Sequence, residues 1–250
     1  TTAHTLSLHD ALPILRRKFI DSVIGQVDKI YLQKVIDYGK VIIQRNSLLK
    51  YFFINRKFDK DTLDTYNQQL ITLGTPIFKE RNNFLKTFIP IFKNYYSEIS
   101  SGNESVDITY KSDLNSGSFS EILHDSESKD RFLQYTSKGI HKDDLNFTIE
   151  SNKIKNFGSQ GQQKSFLIAL KLAQFDYYKT EFGNSPLVLL DDIFDKLDQE
   201  RVRQIVQILE NKDFGQIFIT DTHIERVKDA LSGLKNKEEI FDLQEIYSNG

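Results

Sequence analysis

Between Arg16 and Tyr96 hydrophobic residues recur three and four positions apart, the spacing that gathers them on one face of an α-helix. One series runs Phe19, Val23, Val27, Ile30, Tyr31 and Val35, and a second runs Leu63, Tyr66, Leu70, Leu73, Ile77, Phe84, Leu85 and Phe88. The polar stretch 55–61 separates them. Residues 16–96 are therefore predicted to form an arm of two antiparallel helical stretches, with Arg56, Lys57 and Lys60 at its tip.

After Pro90 the pattern changes, and the serine-rich stretch 97–105, with Gly102, reads as a linker. Val106-Asp107-Ile108-Thr109-Tyr110 alternates apolar and polar, as a half-buried strand does, and residues 146–149 followed by 152–157 read as a hairpin. A Gly/Ser loop at 115–120 leads into a helix over 119–135. Gly158-Ser159-Gln160-Gly161-Gln162-Gln163-Lys164-Ser165 is a polar, glycine-bearing loop. Behind it Phe166, Leu167, Leu170, Ala173, Phe175, Tyr177 and Tyr178 mark a helix opening at that loop. Leu187-Val188-Leu189-Leu190 is wholly apolar, as in a parallel strand buried on both faces, and ends in Asp191-Asp192. Val202, Ile205, Val206 and Leu209 mark a further helix, and 216–219 a further strand ending at Thr220-Asp221-Thr222-His223. Strands alternating with helices predict an α/β fold with a parallel sheet, whose ligands bind at the carboxyl ends of the strands. No repeat of 20 to 50 residues is visible.

Composition narrows the classes. The 250 residues, 39% hydrophobic and 12% aromatic, suffice for one good core and an appended element. Without cysteine there is no disulfide framework, thiolate metal site or cysteine nucleophile, which fits a reducing, cytoplasmic setting. No apolar run approaches the roughly 18 residues of a membrane span. With no methionine anywhere, the natural N-terminus is expected to be missing, and residues 1–15 are expected to be a non-native or disordered segment. The net charge of −2 conceals an asymmetry: residues 16–60 carry eleven Lys and Arg against four Asp. A basic arm on an acidic body suits a polyanionic partner, and equally a solvated helix face.

Gly158, Lys164 and Ser165 fall one glycine short of the phosphate-binding pattern G-x-x-x-x-G-K-[ST], because Gln163 stands where glycine lets the backbone bend around phosphates. Ser159 and the N–H groups at the helix start fit an open anion site, met by phosphate from outside.

Residues 157–198 resemble the C-terminal half of the ATP-binding-cassette ATPases of the RecF and SMC type. Ser159-Gln160-Gly161-Gln162-Gln163 is similar to the signature loop, residues 187–192 to the Walker B strand, and Asp195-Lys196-Leu197-Asp198 to the D-loop. Upstream, Arg16-Arg17-Lys18-Phe19-Ile20-Asp21, Gln44-Arg45-Asn46-Ser47-Leu48-Leu49-Lys50 and Gly139-Ile140-His141-Lys142-Asp143-Asp144-Leu145 resemble segments of the RecF family. The resemblance implies a helical arm over 16–96 and the C-terminal half of a cassette ATPase head over 97–250. It implies that Ser159, Gln160, Gly161, Gln162 and Asp198 bind ATP, that Asp191 holds Mg²⁺, that Asp192 orients or deprotonates the attacking water, and that His223 senses the γ-phosphate. The wider class usually has glutamate where Asp192 stands. The implied whole is a slow ATPase that dimerises on DNA with ATP, acting with RecO and RecR at single-strand gaps and in the SOS response. Its phosphate-binding half is absent from this sequence, so the chain alone is expected to be inactive.

Two other readings use the same residues. His141, Asp143 and Asp144 together with Asp191 and Asp192 would make a metal-dependent hydrolase, although the alternation of a strand turns Asp144 away from the other two. The basic helices alone would make a non-enzymatic DNA- or partner-binding module.

Overall fold

The computed structural model describes residues 13–191, 193–212, 214–232 and 239–241. In chain order these form α1 (Pro13–Val27), α2 (Lys29–Asn55), α3 (Lys60–Ile99), β1 (Val106–Lys111), α4 (Phe119–Leu133), β2 (Asp144–Ile149), β3 (Asn152–Lys153), α5 (Ile154–Phe157), α6 (Gln160–Phe182), β4 (Val188–Asp191), α7 (Gln199–Asn211), β5 (Ile217–Thr220) and α8 (Ile224–Leu231). Of the segment expected to be non-native or disordered, residues 1–12 lie outside the described residues, as does Asp192. Pro13 already opens α1, where a missing N–H costs nothing. Two compact units result, one holding the chain up to Pro90 with Asp107–Thr148, the other Ile91–Val106 with the chain from Ile149 onward.

The first unit is built on helices. Where the sequence predicts a single helical series over 19–35, the structure has a break at Asp28, whose carboxylate accepts the N–H groups of Ile30 and Tyr31 and so starts α2 afresh. The chain reverses after Arg56, which caps α2 in the left-handed conformation, and Leu49, Phe52 and Leu63 close the turn with an apolar cluster. Arg56, Lys57 and Lys60 are exposed there. Up to Pro90 the buried positions of α3, Leu85 apart, step by fours and threes as Leu63, Asn67, Leu70, Gly74, Ile77, Arg81, Phe84 and Phe88, the 3.5-residue repeat of a coiled-coil seam. On α2 the buried Tyr31, Tyr38, Arg45 and Phe52 lie seven apart.

The polar members of this seam are hydrogen-bonded, with Arg45 Nη2 the one buried seam atom that has no partner among the described residues. Arg45, fully buried, donates to Asn67 Oδ1 (2.9 Å), Asp130 Oδ2 (2.8 Å) and Thr136 Oγ1 (2.9 Å). Arg81 grips Asp21 with two bonds of 3.0 and 2.9 Å and reaches Asp143 Oδ2 and the Ile140 carbonyl, both at 2.9 Å. Burial opposes the charged guanidinium, but Asp21, Tyr31 and Tyr110 together outweigh it and hold Arg81 well above its ordinary value. His141 donates from Nε2 to the Thr136 carbonyl (3.0 Å) and accepts the Tyr38 hydroxyl at Nδ1 (3.1 Å), partners that suit the neutral ring. Burial pushes its pKa down to about 4.

A base neutral in the fold and charged when unfolded destabilises the fold as pH falls. Between about pH 6.5 and about 4 the unfolded chain holds the extra proton, so the first unit should lose up to roughly 3 kcal/mol over that window. Urea titrations of wild type and His141→Gln at pH 7.0 and 4.5 check this: the gap between the two proteins should shrink or reverse at the lower pH, and an unchanged gap contradicts it.

Helix α3 continues past Pro76 and Pro90 to Ile99, so residues 97–99, expected to be linker, are its last turn. The turn beyond is made by Ser101 and Gly102 at positive φ, with the Gly102 N–H bonded to the Ser97 carbonyl (2.8 Å). The expected hairpin is shorter than predicted. Glu150 and Ser151 both take positive φ between β2 and β3, as a two-residue hairpin turn requires, but after Lys153 the chain enters α5.

In the second unit α6 buries Phe166, Ala169, Leu170 and Ala173. Phe166 packs on Phe92 and Tyr96, with ring centroids 4.6 and 6.1 Å away, and Phe175 packs on Phe214 at 4.6 Å. Strands β4 and β5 are parallel, with Leu189 opposite Phe218 and Asp191 opposite Thr220. The α/β class with a parallel sheet is thus as predicted, but burial on both faces of β4 is not. Val188 and Leu190 are buried, while Leu189 is 71% and Phe218 48% exposed on the other face.

Candidate functional site: a helix start, a turn and two strand ends

Helix α6 begins where the sequence places its opening. Ser159 is the N-cap: its hydroxyl accepts the Gln162 N–H (3.2 Å), and the Gln162 side-chain oxygen accepts the Ser159 N–H (2.8 Å). This reciprocal cap leaves the first-turn amides of Gln160 and Gly161 outside its bonds, at the positive end of a 23-residue helix. Ser159 and Gln160 are exposed. Gln163 and Lys164, which a phosphate-wrapping loop would need in the loop, are already helical. Ser165 is buried and receives a bond from Arg201. Gly158 is explained by packing, since a Cβ there would sit 2.7 Å from the Ile154 carbonyl oxygen.

The turn before α7 lies against this helix start. Lys196 holds the left-handed conformation (φ 60°), and a Cβ on Gly161 would come 3.3 Å from the Lys196 carbonyl oxygen. Asp198 caps α7 by accepting the Arg201 N–H (2.8 Å), and Arg201 Nε returns to Asp198 Oδ2 (3.2 Å). The same guanidinium donates to Ser165 Oγ (3.0 Å) and to Glu104 Oε1 (2.6 Å). Glu104 Oε1 also accepts from Gln162 Nε2 (3.0 Å), and its other oxygen accepts the Tyr96 hydroxyl (2.5 Å). Burial favours the neutral carboxyl of Glu104, yet the bonds from Tyr96, Gln162 and Arg201 outweigh it and hold its pKa below the ordinary value. Burial likewise opposes the charge of Arg201, and the bond and charge of Glu104 together with Tyr96 overcome it and raise its pKa.

The remaining predicted residues lie at the strand ends. Asp191, exposed, ends β4 and accepts the hydroxyl of Thr220, its partner in register at the end of β5. His223 follows β5 as the N-cap residue of α8, exposed, with its ring against the Thr222 hydroxyl (2.9 Å) and its N–H on Asp221 Oδ1 (2.8 Å). The structure therefore joins Ser159, Gln160, Gly161 and Gln162 to Asp198 through Glu104 and Arg201, and sets Asp191 beside Thr220.

The metal-hydrolase reading fails on the first unit's own contacts. Asp143 is bound by Arg81 and the Tyr110 hydroxyl, Asp144 by Arg16 at 2.8 and 2.7 Å, and His141 by Tyr38 and Thr136. Among the described residues no three His, Asp or Glu side chains converge on a cation site. Sequence reasoning missed Glu104, which sits in the stretch read as a linker, and Arg201, which the one local cue, Asp198 as an N-cap, does not single out because a capping box would place Glu or Gln there.

Among the described residues no helix is long and apolar enough to cross a membrane. No protein-family model matches the chain. Over 228 residues it is 53% identical to the DNA replication and repair protein RecF of Flavobacterium johnsoniae, covering 91% of this chain and 64% of that protein. RecF of Phocaeicola vulgatus is 44% identical over 231 residues, covering 92% of this chain and 62% of the relative. Among solved structures, the recombination mediator protein RecF-ATP of the RecFOR pathway superposes with a TM-score of 0.76 at 28% identity, over 90% of this chain and 62% of that one. The corresponding RecF-ATPrS structure gives the same TM-score at 27% identity. Sequence and fold both match RecF proteins over most of this chain, which spans somewhat less than two thirds of the curated relatives it matches.

Proposed function

We propose that this chain is the arm and the C-terminal head portion of an ATP-dependent DNA-binding protein. Two copies close on DNA around nucleotide, each offering its helix start to the nucleotide held by the other. The observation that carries this reading is the junction of two loops at one place: the capped start of α6 at Ser159 and the turn at Lys196, in contact at Gly161. The residues fit a phosphate there. First-turn amides and the helix dipole supply donors, and Gly161 leaves open the space that a side chain would fill. Asp191, exposed at a strand end, suits a Mg²⁺ that takes its remaining ligands from phosphate and water. Bound ATP and Mg²⁺ would supply the scissile phosphoanhydride and its charge neutralisation.

In this reading Ser159, Gln160, Gly161 and Gln162 orient the terminal phosphate, Asp198 sets the turn beside it, and His223 stands ready to contact it after β5. Asp192 would hold the attacking water. The basic residues of the arm, Arg56 and Lys57 among them, would face DNA phosphates. Action at single-strand gaps with RecO and RecR, support of the SOS response and a cytoplasmic setting complete the proposal. The exposed apolar pair Leu189 and Phe218 is consistent with a head whose sheet is covered by further residues that the longer relatives possess.

The proposal makes an asymmetric prediction about nucleotide. The 250-residue chain should bind labelled ATP weakly in equilibrium dialysis, because residues 160–165 are helical and form no phosphate-wrapping loop. The chain completed with the part of the Flavobacterium johnsoniae relative that it does not span should bind at micromolar ATP with Mg²⁺. Tight Mg²⁺-dependent binding by the 250 residues alone would contradict the shared-site reading and restore 158–165 as a phosphate cradle.

A further inference from the structure

Two loops of the second unit, 36 positions apart in sequence at Gln162 and Asp198, are connected by a single carboxylate oxygen. Glu104 Oε1 receives Gln162 Nε2 from one side and Arg201 Nη2 from the other. Gln162 is orientationally fixed: its oxygen is occupied by the Ser159 N–H, so only its nitrogen faces Glu104. Arg201 is fixed in the same way, by Asp198 at Nε and by Ser165 at Nη1. Side-chain exposures of 16% for Glu104 and 14% for Arg201 put the pair mostly out of water, where a charge-assisted bond of 2.6 Å is hard to replace by solvent.

We propose that Glu104 is a positioning residue that sets the distance between the Ser159 cap and the Asp198 turn. Its carboxylate holds the Gln162 amide so that its oxygen stays on the Ser159 N–H, and holds the Arg201 fork so that Nε stays on Asp198. Removing it frees both caps at once, although they belong to different helices. The proposal deepens the nucleotide reading, since it names what holds the two phosphate-facing loops in register.

The test needs no nucleotide, so it can fail or succeed separately from that reading. In the 250-residue chain, Glu104→Gln should speed hydrogen exchange of the Ser159 and Arg201 amides together, by about fivefold each, while the amide of Ala169 in the middle of α6 stays within twofold. A role limited to general stability would speed all three alike, and a change confined to one cap would also overturn the proposal. Unfolding constants supply a second measurement. Gln162→Ala and Arg201→Ala, whose side chains meet at Glu104, should be non-additive by about fivefold or more with Glu104 present and additive within twofold when both are placed on Glu104→Gln. Additivity in the presence of Glu104, or unchanged coupling without it, contradicts the assignment. Should Glu104→Gln fail to fold, wild type titrated below the ordinary carboxylate range must show both cap amides accelerating in step once the intrinsic pH dependence is removed. Independent titration of the two refutes the coupling.

Discussion

Replacing Arg81 by alanine is expected to unfold the first unit under conditions where the wild-type chain is folded. The side chain is 4% exposed and holds five bonds: two to Asp21 and one each to Asp143, the Ile140 carbonyl and the Tyr31 hydroxyl. Truncation leaves the buried Asp143 and the partly buried Asp21 without their guanidinium partner, and breaking a buried pair in this way costs about 3–5 kcal/mol, a large share of the 5–15 kcal/mol that holds a typical domain. Arg81→Lys keeps the charge, but a single ammonium cannot reproduce a two-pronged grip on Asp21 together with Asp143, so its loss should be intermediate. Urea denaturation followed by circular dichroism measures both. A loss below about 1 kcal/mol for Arg81→Ala would show that water replaces the guanidinium and that the seam does not depend on it.

Arg81 also shows where sequence reading stops. The apolar members of α3 are visible as a series, but the seam repeats every 3.5 residues and its places at Asn67, Gly74 and Arg81 are filled by residues that a hydrophobic pattern passes over. Their partners Asp21, Asp143 and Arg45 are 22 to 62 residues away, and no local spacing marks them. The class of fold, the start of α6 at Ser159 and the acidic end of β4 were legible because each depends on local chemistry: a cap, a glycine loop, an apolar run ending in carboxylates. The burial of β4 was misjudged for a physical reason. An apolar strand states what its two faces require and not what covers them, and Leu189 with Phe218 faces outward in this chain. Glu104 was hidden by its neighbours, since a glutamate among serine, glycine and asparagine looks like solvent-facing linker until Tyr96, Gln162 and Arg201 are seen to meet on it.

The other large effect concerns Ser159. In the protein completed from the Flavobacterium johnsoniae relative, Ser159→Arg should leave ATP binding by the monomer nearly intact and abolish the ATP-bound dimer. A bulky cation at the N-cap removes the acceptor for the Gln162 N–H, repels the positive end of the helix and fills the space against which phosphate oxygens would rest. Asp191→Asn should weaken nucleotide binding itself, because in the proposed site Mg²⁺ would lose its protein carboxylate. Neither variant alone should hydrolyse ATP.

Mixing the two tests the shared site directly. If each site combines Asp191 of one copy with Ser159 of another, a dimer of one Ser159→Arg chain and one Asp191→Asn chain contains one site with both defects and one with neither. Because neither variant forms a productive ATP-bound dimer with itself, an equal mixture should recover phosphate release up to about half of wild type, one working site in each mixed dimer across a twofold interface. No recovery, with both variants folded and able to associate, would contradict the account, because a site contained within one chain cannot be restored by a partner.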